Sequence, residues 1–193
     1  MSAHSSVSQG GQEERGHAAS PGGGLARTIA LVGLMGAGKS TVGRKLAESL
    51  NSPFVDSDEE IEKAAGLSVQ EIFDKLGEPE FRRGERRVIE RLLNGPPIVL
   101  ATGGGAFMDT ATRALMKARA TTVWLRADID VIWKRVSRRD TRPLLKRDNP
   151  RQVLADLEAA RAPVYAEADI VVDSGDGPAT DAVKAIREAL GFQ

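Results

Sequence analysis

Residues 28–50 of this chain, TIALVGLMGAGKSTVGRKLAESL, contain the strongest indication of its fold. The first five residues of this stretch form an apolar, β-branched run of the kind found in a buried strand. The next eight, GLMGAGKS at 33–40, place three glycines and a lysine in a tight connection. Apolar residues then recur at helical spacing, at Val42, Leu46 and Leu50. The stretch therefore predicts a buried strand, a glycine-rich loop and an amphipathic helix in succession.

The loop has the pattern G-x4-G-K-[ST], which binds phosphate for direct physical reasons. Glycines let the backbone curl so that its N–H groups point inward, and the N-terminus of the following helix adds positive potential. We expect Lys39 to reach the β- and γ-phosphates of a nucleotide and the Ser40 hydroxyl to ligate Mg²⁺. The plainer alternative is a glycine-rich turn with an accidental lysine, a pattern that composition produces in roughly 1% of chains this long. The predicted cofactor-binding residues of the loop are Gly36, Ala37, Gly38, Lys39, Ser40 and Thr41.

Four more short apolar runs follow the loop, and stretches with helical spacing of apolar residues separate them. This alternation predicts an α/β fold in which helices cover both faces of a parallel sheet. The predicted strands are 28–32, 53–56, 97–101, 121–125 and 169–172. The predicted helices lie near 40–50, 59–64, 68–76, 79–93, 110–118, 128–137, 150–161 and 179–190.

Composition excludes several classes of protein. The length of 193 residues fits one domain, predicted at 25–193, and the Ser- and Gly-rich residues 1–24 are expected to form a disordered tail. There is no cysteine, and both histidines, His4 and His17, lie in that tail, so the predicted domain has no thiolate or imidazole for catalysis or zinc binding. The 27 basic and 27 acidic residues of the whole chain balance, which argues against nucleic-acid and membrane-surface binding. No apolar run approaches the roughly 18 residues of a membrane span.

Charged residues interrupt the apolar faces of two predicted helices. Glu85 falls in the middle of the stripe of helix 79–93, and Arg82 falls beside it. In the helix that begins at Pro150, Arg161 lies within the stripe formed by Val153, Leu154, Leu157 and Ala160. A buried charge without a partner is costly, so such groups either pair or face a ligand. An internal Arg82–Glu85 pair is one alternative, and an anionic ligand that matches the second arginine is the other.

Three further segments are expected near the carboxyl ends of the strands, where open α/β sheets bind ligands. Asp56 and Asp58 close the second strand, although either could simply cap the next helix. The TGGG segment at 102–105 follows the third strand, and it either forms a tight turn or lets backbone amides approach a ligand. The basic segment at about 138–149, RRDTRPLLKRDN, is predicted to be a lid over polyphosphate, with a solvated charged loop as the alternative.

Together these segments resemble the shikimate kinase family from about Ile29 to the C-terminus. The similarity lies in GLMGAGKST at 33–41, FVDSD at 54–58, GEPEFRRGE at 77–85, TGGG at 102–105, RPLL at 142–145 and RAPVY at 161–165. The resemblance implies the P-loop NTPase fold of the nucleoside monophosphate kinases, a three-layer α/β/α arrangement with five parallel strands in the order 2-3-1-4-5. It also implies ATP- and Mg²⁺-dependent phosphorylation of the 3-hydroxyl of shikimate, on the route to chorismate and the aromatic amino acids.

The resemblance also implies roles for single residues. Asp58 would orient or deprotonate the attacking hydroxyl, Lys39 would bind phosphate, and Arg142 in the lid would reach ATP. Asp56 would act on Mg²⁺ through water, beside Ser40. Arg135 is similar to the family's adenine-stacking arginine, and residues 172–178 resemble its adenine loop. The implied substrate-binding residues are Asp58, Phe73, Arg82, Glu85, Gly103, Gly104, Gly105 and Arg161. Among these, both arginines and the Gly104 amide would hold the carboxylate, Glu85 would brace Arg82, and Phe73 would line the ring pocket.

The residues alone leave two other functions open. A related kinase could use a sugar acid or a nucleotide as acceptor, because the inward arginines would bind phosphate as well as carboxylate. A nucleotide-dependent switch could also use such a loop, although the N-K-x-D string of guanine-binding switches does not occur in the sequence. The role of Asp58 as a base or as an orienting group stays open as well. We expect a cytoplasmic monomer that binds shikimate and ATP, without a nucleic-acid or membrane partner.

Overall fold

The computed structural model of the chain describes residues 25–137 and 149–192, which contain a sheet of five parallel strands. The strands are β1 (Thr28–Val32), β2 (Phe54–Asp56), β3 (Val99–Ala101), β4 (Ala120–Arg126) and β5 (Ile170–Asp173). They lie in the order β2–β3–β1–β4–β5, which confirms the predicted order 2-3-1-4-5. The central strand β1 pairs with β3 on one side and with β4 on the other, and all five of its residues are buried.

Helices occupy the connections between the strands. Within the described residues they are α1 (Lys39–Ser49), α2 (Ser57–Ala65), α3 (Val69–Leu93), α4 (Thr110–Arg119), α5 (Ile129–Val136), α6 (Pro150–Tyr165) and α7 (Ala179–Ala189), with a short 3-10 turn at Ala106–Met108. Helix α3 bends at Gly77, whose φ of 81° and ψ of 167° are not helical, and Pro79 follows two residues later. The bend divides α3 where the sequence predicts two separate helices.

The side chains of β1 alternate between two cores, one on each face of the sheet. Ile29 and Leu31 pack into the core that contains residues of α1 and α7. Ala30 and Val32 pack into the opposite core, with residues of α3, α4 and α6. Helices therefore cover both faces of the sheet, which confirms the predicted three-layer α/β/α fold.

The structure corrects the bounds of several predicted elements and one helix face. Strands β2 and β3 begin one and two residues later than predicted. Pro53 and Pro97 have no N–H to donate to a neighbouring strand, and the N–H of Ile98 donates to the Thr28 side chain instead. The apolar stripe predicted for α6 is wrong at Ala160, which is exposed, whereas Leu154 is buried. Ala160 lies six residues after Leu154 and so about 240° around the helix, off the buried face.

Two predicted segments lie wholly or mostly outside the described residues. One is the tail at 1–24, and the other is the lid with Arg142, of which only Asn149 is described, as the N-cap of α6. Among the described helices, none is both long and apolar enough to cross a membrane. The adjacent parallel strands β1, β2 and β3 end at the same edge of the sheet, and this edge carries the glycine-rich loop, Asp56 and the TGGG segment.

Candidate functional site

The glycine-rich loop joins β1 to α1 and presents the N-terminus of that helix. Gly33, Gly36 and Gly38 have φ angles of 134°, 82° and 98°, a range that glycine adopts without strain. Gly38 is the N-cap of α1, and this helix has neither a side-chain cap nor an acidic residue in its first turn. Because the first N–H groups of a helix have no partner within it, this end of α1 attracts anions such as phosphate.

Lys39 turns back over the loop that it follows. The residue is buried, and its Nζ donates to the carbonyl oxygens of Gly33 at 2.8 Å and Leu34 at 3.0 Å. These bonds fix the ammonium beside the loop. Thr41 occupies the same first turn of α1 and is exposed. The positive charge, the glycine backbone and the helix N-terminus therefore meet at one place.

Ser40 and Asp56 bring a hydroxyl and a carboxylate together at the start of α1 and the end of β2. Ser40 Oγ donates to Asp56 Oδ2 at 2.7 Å, and Asp56 Oδ1 accepts from the N–H of Asp58 at 3.0 Å. Asp56 is thus the N-cap of α2, which confirms the capping interpretation for this residue. The described residues contain no cluster of three or more His, Cys, Asp or Glu side chains that could hold a metal. A hydroxyl and one carboxylate nevertheless fit Mg²⁺, which takes few protein ligands when phosphate and water supply the rest.

The TGGG segment passes close to two acidic side chains. A β-carbon built on Gly103 would lie 2.8 Å from Asp58 Oδ1 and 2.9 Å from Glu85 Oε1. Both distances are shorter than ordinary contacts of a β-carbon, so glycine allows this close approach. The N–H of Gly103 donates to Ser57 Oγ at 3.2 Å, and Ser57 is completely buried. Residues of α2 and α3 therefore place two carboxylates against one fixed glycine.

The next two glycines lie beside the predicted arginines. A β-carbon built on Gly105 would lie 2.6 Å from Arg82 Nη1, and one on Gly104 would lie 3.8 Å from Arg161 Nη1. The β-carbon on Gly104 would also lie 3.3 Å from the main-chain nitrogen of Met35, in the glycine-rich loop. The three-glycine turn at 103–105 thus brings together the acidic pair, the arginine pair and the start of the phosphate loop.

Two carboxylates of its own helix hold Arg82. Its Nη1 donates to Glu85 Oε2 at 2.7 Å, and its Nη2 donates to Glu78 Oε1 at 3.2 Å. The internal Arg82–Glu85 pair is therefore confirmed. Burial opposes the charge of Arg82, but the two carboxylates outweigh it and raise the pKa of this guanidinium. Burial also raises the pKa of Glu85 above its ordinary value, and the charge of Arg82 offsets this only in part.

Arg161, on α6, donates through its Nη1 to the carbonyl oxygen of Gly104 at 3.3 Å, which is an uncharged acceptor. Within residues 25–137 and 149–192, no carboxylate forms an ion pair with Arg161. The second arginine is thus unmatched by an acidic group in the described part of the chain, and an anionic ligand would balance it.

Tyr165 fixes the three-glycine turn from the side of α6. The residue is buried, its ring stacks on Trp124 with 5.8 Å between centroids, and its hydroxyl donates to the carbonyl oxygen of Gly104. In a trans peptide the C=O and the following N–H point in opposite directions, so this bond also sets the direction of the Gly105 N–H. Burial raises the pKa of Tyr165, which keeps the hydroxyl protonated as a donor.

The structure places Phe73 in the small apolar cluster between α2 and α3. Its ring contacts Phe81, with 4.5 Å between centroids, and it is half-buried. Among the described residues, this apolar cluster contains none of the three glycines at 103–105. Its predicted role in a ring pocket therefore stays a prediction.

Arg135, on α5, lies against the phosphate loop. Its Nη1 donates to the Ala37 carbonyl at 3.2 Å and to Ser174 Oγ at 3.3 Å, and its Nη2 donates to the Gly175 carbonyl. The guanidinium thus connects the loop to residues 174–175, which follow β5. These two residues belong to the segment 172–178, which resembles the adenine loop of the family.

Three hydroxyl groups that hold the backbone of the site were not predicted from the sequence: Ser57, Tyr165 and Ser174. Their partners are main-chain atoms of Gly103, Gly104 and Ala37, between 46 and 137 residues away along the chain. Tyr165 ends the RAPVY motif, and Ser57 lies between the two aspartates, so their positions inside the quoted motifs were the available signal. Ser174 had no signal beyond its place in the segment 172–178.

The chain is similar to known proteins over most of its length. The family model described as shikimate kinase matches residues 35–191. A shikimate kinase of Caulobacter vibrioides is 58% identical over 165 residues, which cover 86% of this chain and 82% of that protein. One of Paramagnetospirillum magneticum is 56% identical over 166 residues, which cover 86% of this chain and 85% of that protein.

A solved structure shows the same similarity in three dimensions. The structure of shikimate kinase from Acinetobacter baumannii in complex with shikimate matches this chain with a TM-score of 0.81 and 42% sequence identity. The match covers 86% of this chain and 93% of that one.

Proposed function

Because this chain belongs to the shikimate kinase family and is therefore a kinase, we propose that it transfers the γ-phosphoryl group of ATP to the 3-hydroxyl of shikimate. One observation carries this proposal: the turn at 103–105 lies beside the phosphate loop and also beside Arg82, Arg161 and Asp58. The turn at 103–105 would then contact both the phosphoryl donor and the acceptor. The product, shikimate 3-phosphate, lies on the route to chorismate and the aromatic amino acids.

The phosphate loop would bind the donor. The loop amides and the first turn of α1 attract the phosphates, and Lys39 adds a positive charge beside them. Ser40 would hold Mg²⁺ through its hydroxyl, and Asp56, whose carboxylate lies 2.7 Å from that hydroxyl, would act on the ion through water. The ion would supply neutralisation of the phosphate charge when it is bound. We assign Arg142, outside the described residues, to the transferring phosphoryl group, and Arg135 to the adenine ring.

The arginine pair would hold the carboxylate of the acceptor. Arg82 shares its charge with Glu85 and Glu78, whereas Arg161 contacts only uncharged oxygens in the described structure. Arg161 therefore carries the larger share of the charge that a carboxylate would balance. The amides of the turn at 103–105 would add hydrogen bonds to the same group. Phe73 would line the ring side of this pocket, beyond Phe81.

Asp58 would hold the attacking hydroxyl. Its Oδ1 lies against Gly103, at the junction of the acidic pair and the turn, so the hydroxyl of an acceptor anchored by the arginines could reach it. Phosphoryl transfer depends chiefly on alignment and charge neutralisation, and a carboxylate that accepts a hydrogen bond from the hydroxyl supplies alignment. We propose that the protein works as a cytoplasmic monomer, in keeping with a role in small-molecule metabolism.

The experiment is a comparison of acceptors. Purified protein is given Mg²⁺ and ATP, and ADP release is measured with shikimate, quinate, gluconate or a nucleoside monophosphate offered separately. We expect stimulation by shikimate, with turnover of the other acceptors at least about 100-fold lower, because an acceptor that does not fit both the arginines and Asp58 leaves buried polar groups of the site unpaired. Activity with another acceptor alone would overturn the substrate assignment and keep the kinase. ATP binding without turnover of any acceptor would favour a switch.

A further inference from the structure

A buried hydroxyl from the far end of the chain contacts the phosphate loop. Ser174 follows β5 and is 5% exposed, and its Oγ donates to the carbonyl oxygen of Ala37 at 2.8 Å. The two residues are 137 positions apart in sequence. The backbone of Ser174 is itself anchored, because its N–H donates to the Arg126 carbonyl at 2.6 Å. The hydroxyl is therefore held in place against the loop.

Arg135 contributes a second donor to the same carbonyl. Its Nη1 lies 3.2 Å from the Ala37 oxygen and 3.3 Å from Ser174 Oγ. The Ser174 hydroxyl accepts from this arginine and donates to Ala37, so each bond polarises the next. A β-carbon built on Gly38 would lie 3.6 Å from Arg135 Nη1 and 3.7 Å from Ser174 Oγ, which shows how closely both groups approach the loop.

The Ala37–Gly38 peptide needs such support. The orientation of its plane is set by ψ of Ala37 and φ of Gly38, and Gly38, with φ of 98°, gives it the rotational freedom of a glycine. The C=O and N–H of one trans peptide point in opposite directions, so a donor that holds the Ala37 carbonyl also sets the direction of the Gly38 N–H. In the described parts of the chain, no acceptor takes the hydrogen of this N–H. It is the last loop amide before α1.

We propose that Ser174 is a positioning residue for phosphate binding: its hydroxyl holds the Ala37 carbonyl so that the Gly38 N–H faces the bound polyphosphate. The inference rests on the proposed function, because it assumes that this loop binds the phosphates of ATP. It assigns Ser174 to the phosphates, although the residue lies in the segment that resembles an adenine loop. The two assignments differ in their consequence for a ligand that has phosphates and no base.

The test is calorimetric binding of ATP and of inorganic tripolyphosphate, each with Mg²⁺, to the full chain and its variants. Loss of a buried hydrogen bond of this kind should weaken both ligands by the same factor, about five- to tenfold, in Ser174→Ala. Ser174→Thr keeps the hydroxyl and should stay within about twofold of the parent chain. Ser49→Ala is the matched control, because Ser49 Oγ also donates to a carbonyl at 2.8 Å, away from the loop in the last turn of α1. Shikimate affinity should not change in any of them.

The outcomes distinguish the positioning role of Ser174 from the binding of ATP phosphates by the loop. Equal weakening of ATP and tripolyphosphate, restored by threonine, supports the positioning role. Weaker ATP binding with unchanged tripolyphosphate binding overturns it, since the residue would then act on the base. Unchanged binding of both ligands in Ser174→Ala also overturns it, as does equal loss in Ser174→Thr. If the parent chain binds neither ligand, the nucleotide role of the loop fails and the inference fails with it.

Discussion

Glu85 should contribute to substrate binding without adding to the stability of the fold at pH 7. The Arg82 guanidinium donates to Glu85 at 2.7 Å and to Glu78 at 3.2 Å, but the side chain of Glu85 is 3% exposed and that of Glu78 is 64% exposed. The two residues therefore form a matched pair for substitution by glutamine, which keeps the shape and removes the charge. We compare Glu85→Gln with Glu78→Gln.

The effect on substrate binding follows from the kind of hydrogen bond. A bond to a charged partner contributes about 1–1.5 kcal/mol more than a neutral one, so Glu85→Gln should lower kcat/KM for shikimate roughly five- to tenfold by loosening Arg82. An exposed pair on a helix contributes only about 0.3–0.5 kcal/mol, so Glu78→Gln should change it by about twofold or less. The KM for ATP should not change in either variant.

Glu85→Gln should lower kcat/KM for shikimate, but it should not lower the free energy of unfolding. Burial, with the nearby charges of Asp58 and Asp109, raises the pKa of Glu85 above the ordinary value of 4.5 despite the attraction of Arg82. The folded protein therefore binds this proton more tightly than the unfolded chain does, and the stability that the proton contributes is complete below pH 4.5 and lost as pH rises through the folded pKa. Glutamine stays neutral at every pH, so at pH 7 the free energy of unfolding of Glu85→Gln should equal or exceed that of the parent chain.

Urea unfolding followed by circular dichroism, at pH 4.5 and at pH 7, measures this stability, and steady-state kinetics measure the binding effect. The difference in free energy of unfolding between Glu85→Gln and the parent chain should be larger at pH 7 than at pH 4.5. A stability loss of several kcal/mol in Glu85→Gln at pH 7 would show instead that the charged Glu85–Arg82 pair stabilises the fold. Equal effects of Glu85→Gln and Glu78→Gln on kcat/KM would refute the role of Glu85 in substrate binding.

Three further predictions test other parts of the site. Lys39→Ala should abolish ADP release and leave the circular dichroism spectrum unchanged, because it removes the charge beside the phosphate loop. Lys45→Ala, on the exposed side of α1, should retain activity. Activity in Lys39→Ala would contradict the assignment of the phosphate site. Gly105→Ala should raise KM for shikimate at least about tenfold, because its β-carbon would lie 2.6 Å from Arg82 Nη1. Gly84→Ala is the control, since nothing lies within 4 Å of its β-carbon, and it should raise the free energy of unfolding by about 0.5–1 kcal/mol. Ser68→Ala should cost about 1 kcal/mol of unfolding free energy by removing the capping box of α3, and no loss in a urea titration would refute that assignment.

The fold was predictable because buried parallel strands have a strong local signal. The run 28–32 is apolar throughout, and the structure places the strand at those residues. The bend of α3 was also visible, since Gly77 and Pro79 interrupt its helical pattern. The exposed position of Ala160 was not, because the face that a helix buries depends on its neighbours, which a single helical wheel does not include.

The charged residues of the site were predictable for a related reason. Glu85 lies on an apolar face, where a charge is conspicuous, and the structure buries it against Arg82. Ser57 and Ser174 carry no such signal, because a serine fits equally well in a loop, a cap or a core. They act on main-chain atoms that only the folded chain brings within reach.

We assign the turn at 103–105 and its two arginines to the carboxylate of shikimate. The most direct test compares kcat/KM for shikimate with that for its methyl ester, which keeps the ring and hydroxyls and lacks the charge. We expect the parent chain to prefer the acid by about 100-fold, the equivalent of two charge-assisted hydrogen bonds, and Arg161→Ala to lose most of this preference. Equal kcat/KM for acid and ester, or an unchanged preference in Arg161→Ala, would contradict carboxylate binding at this turn.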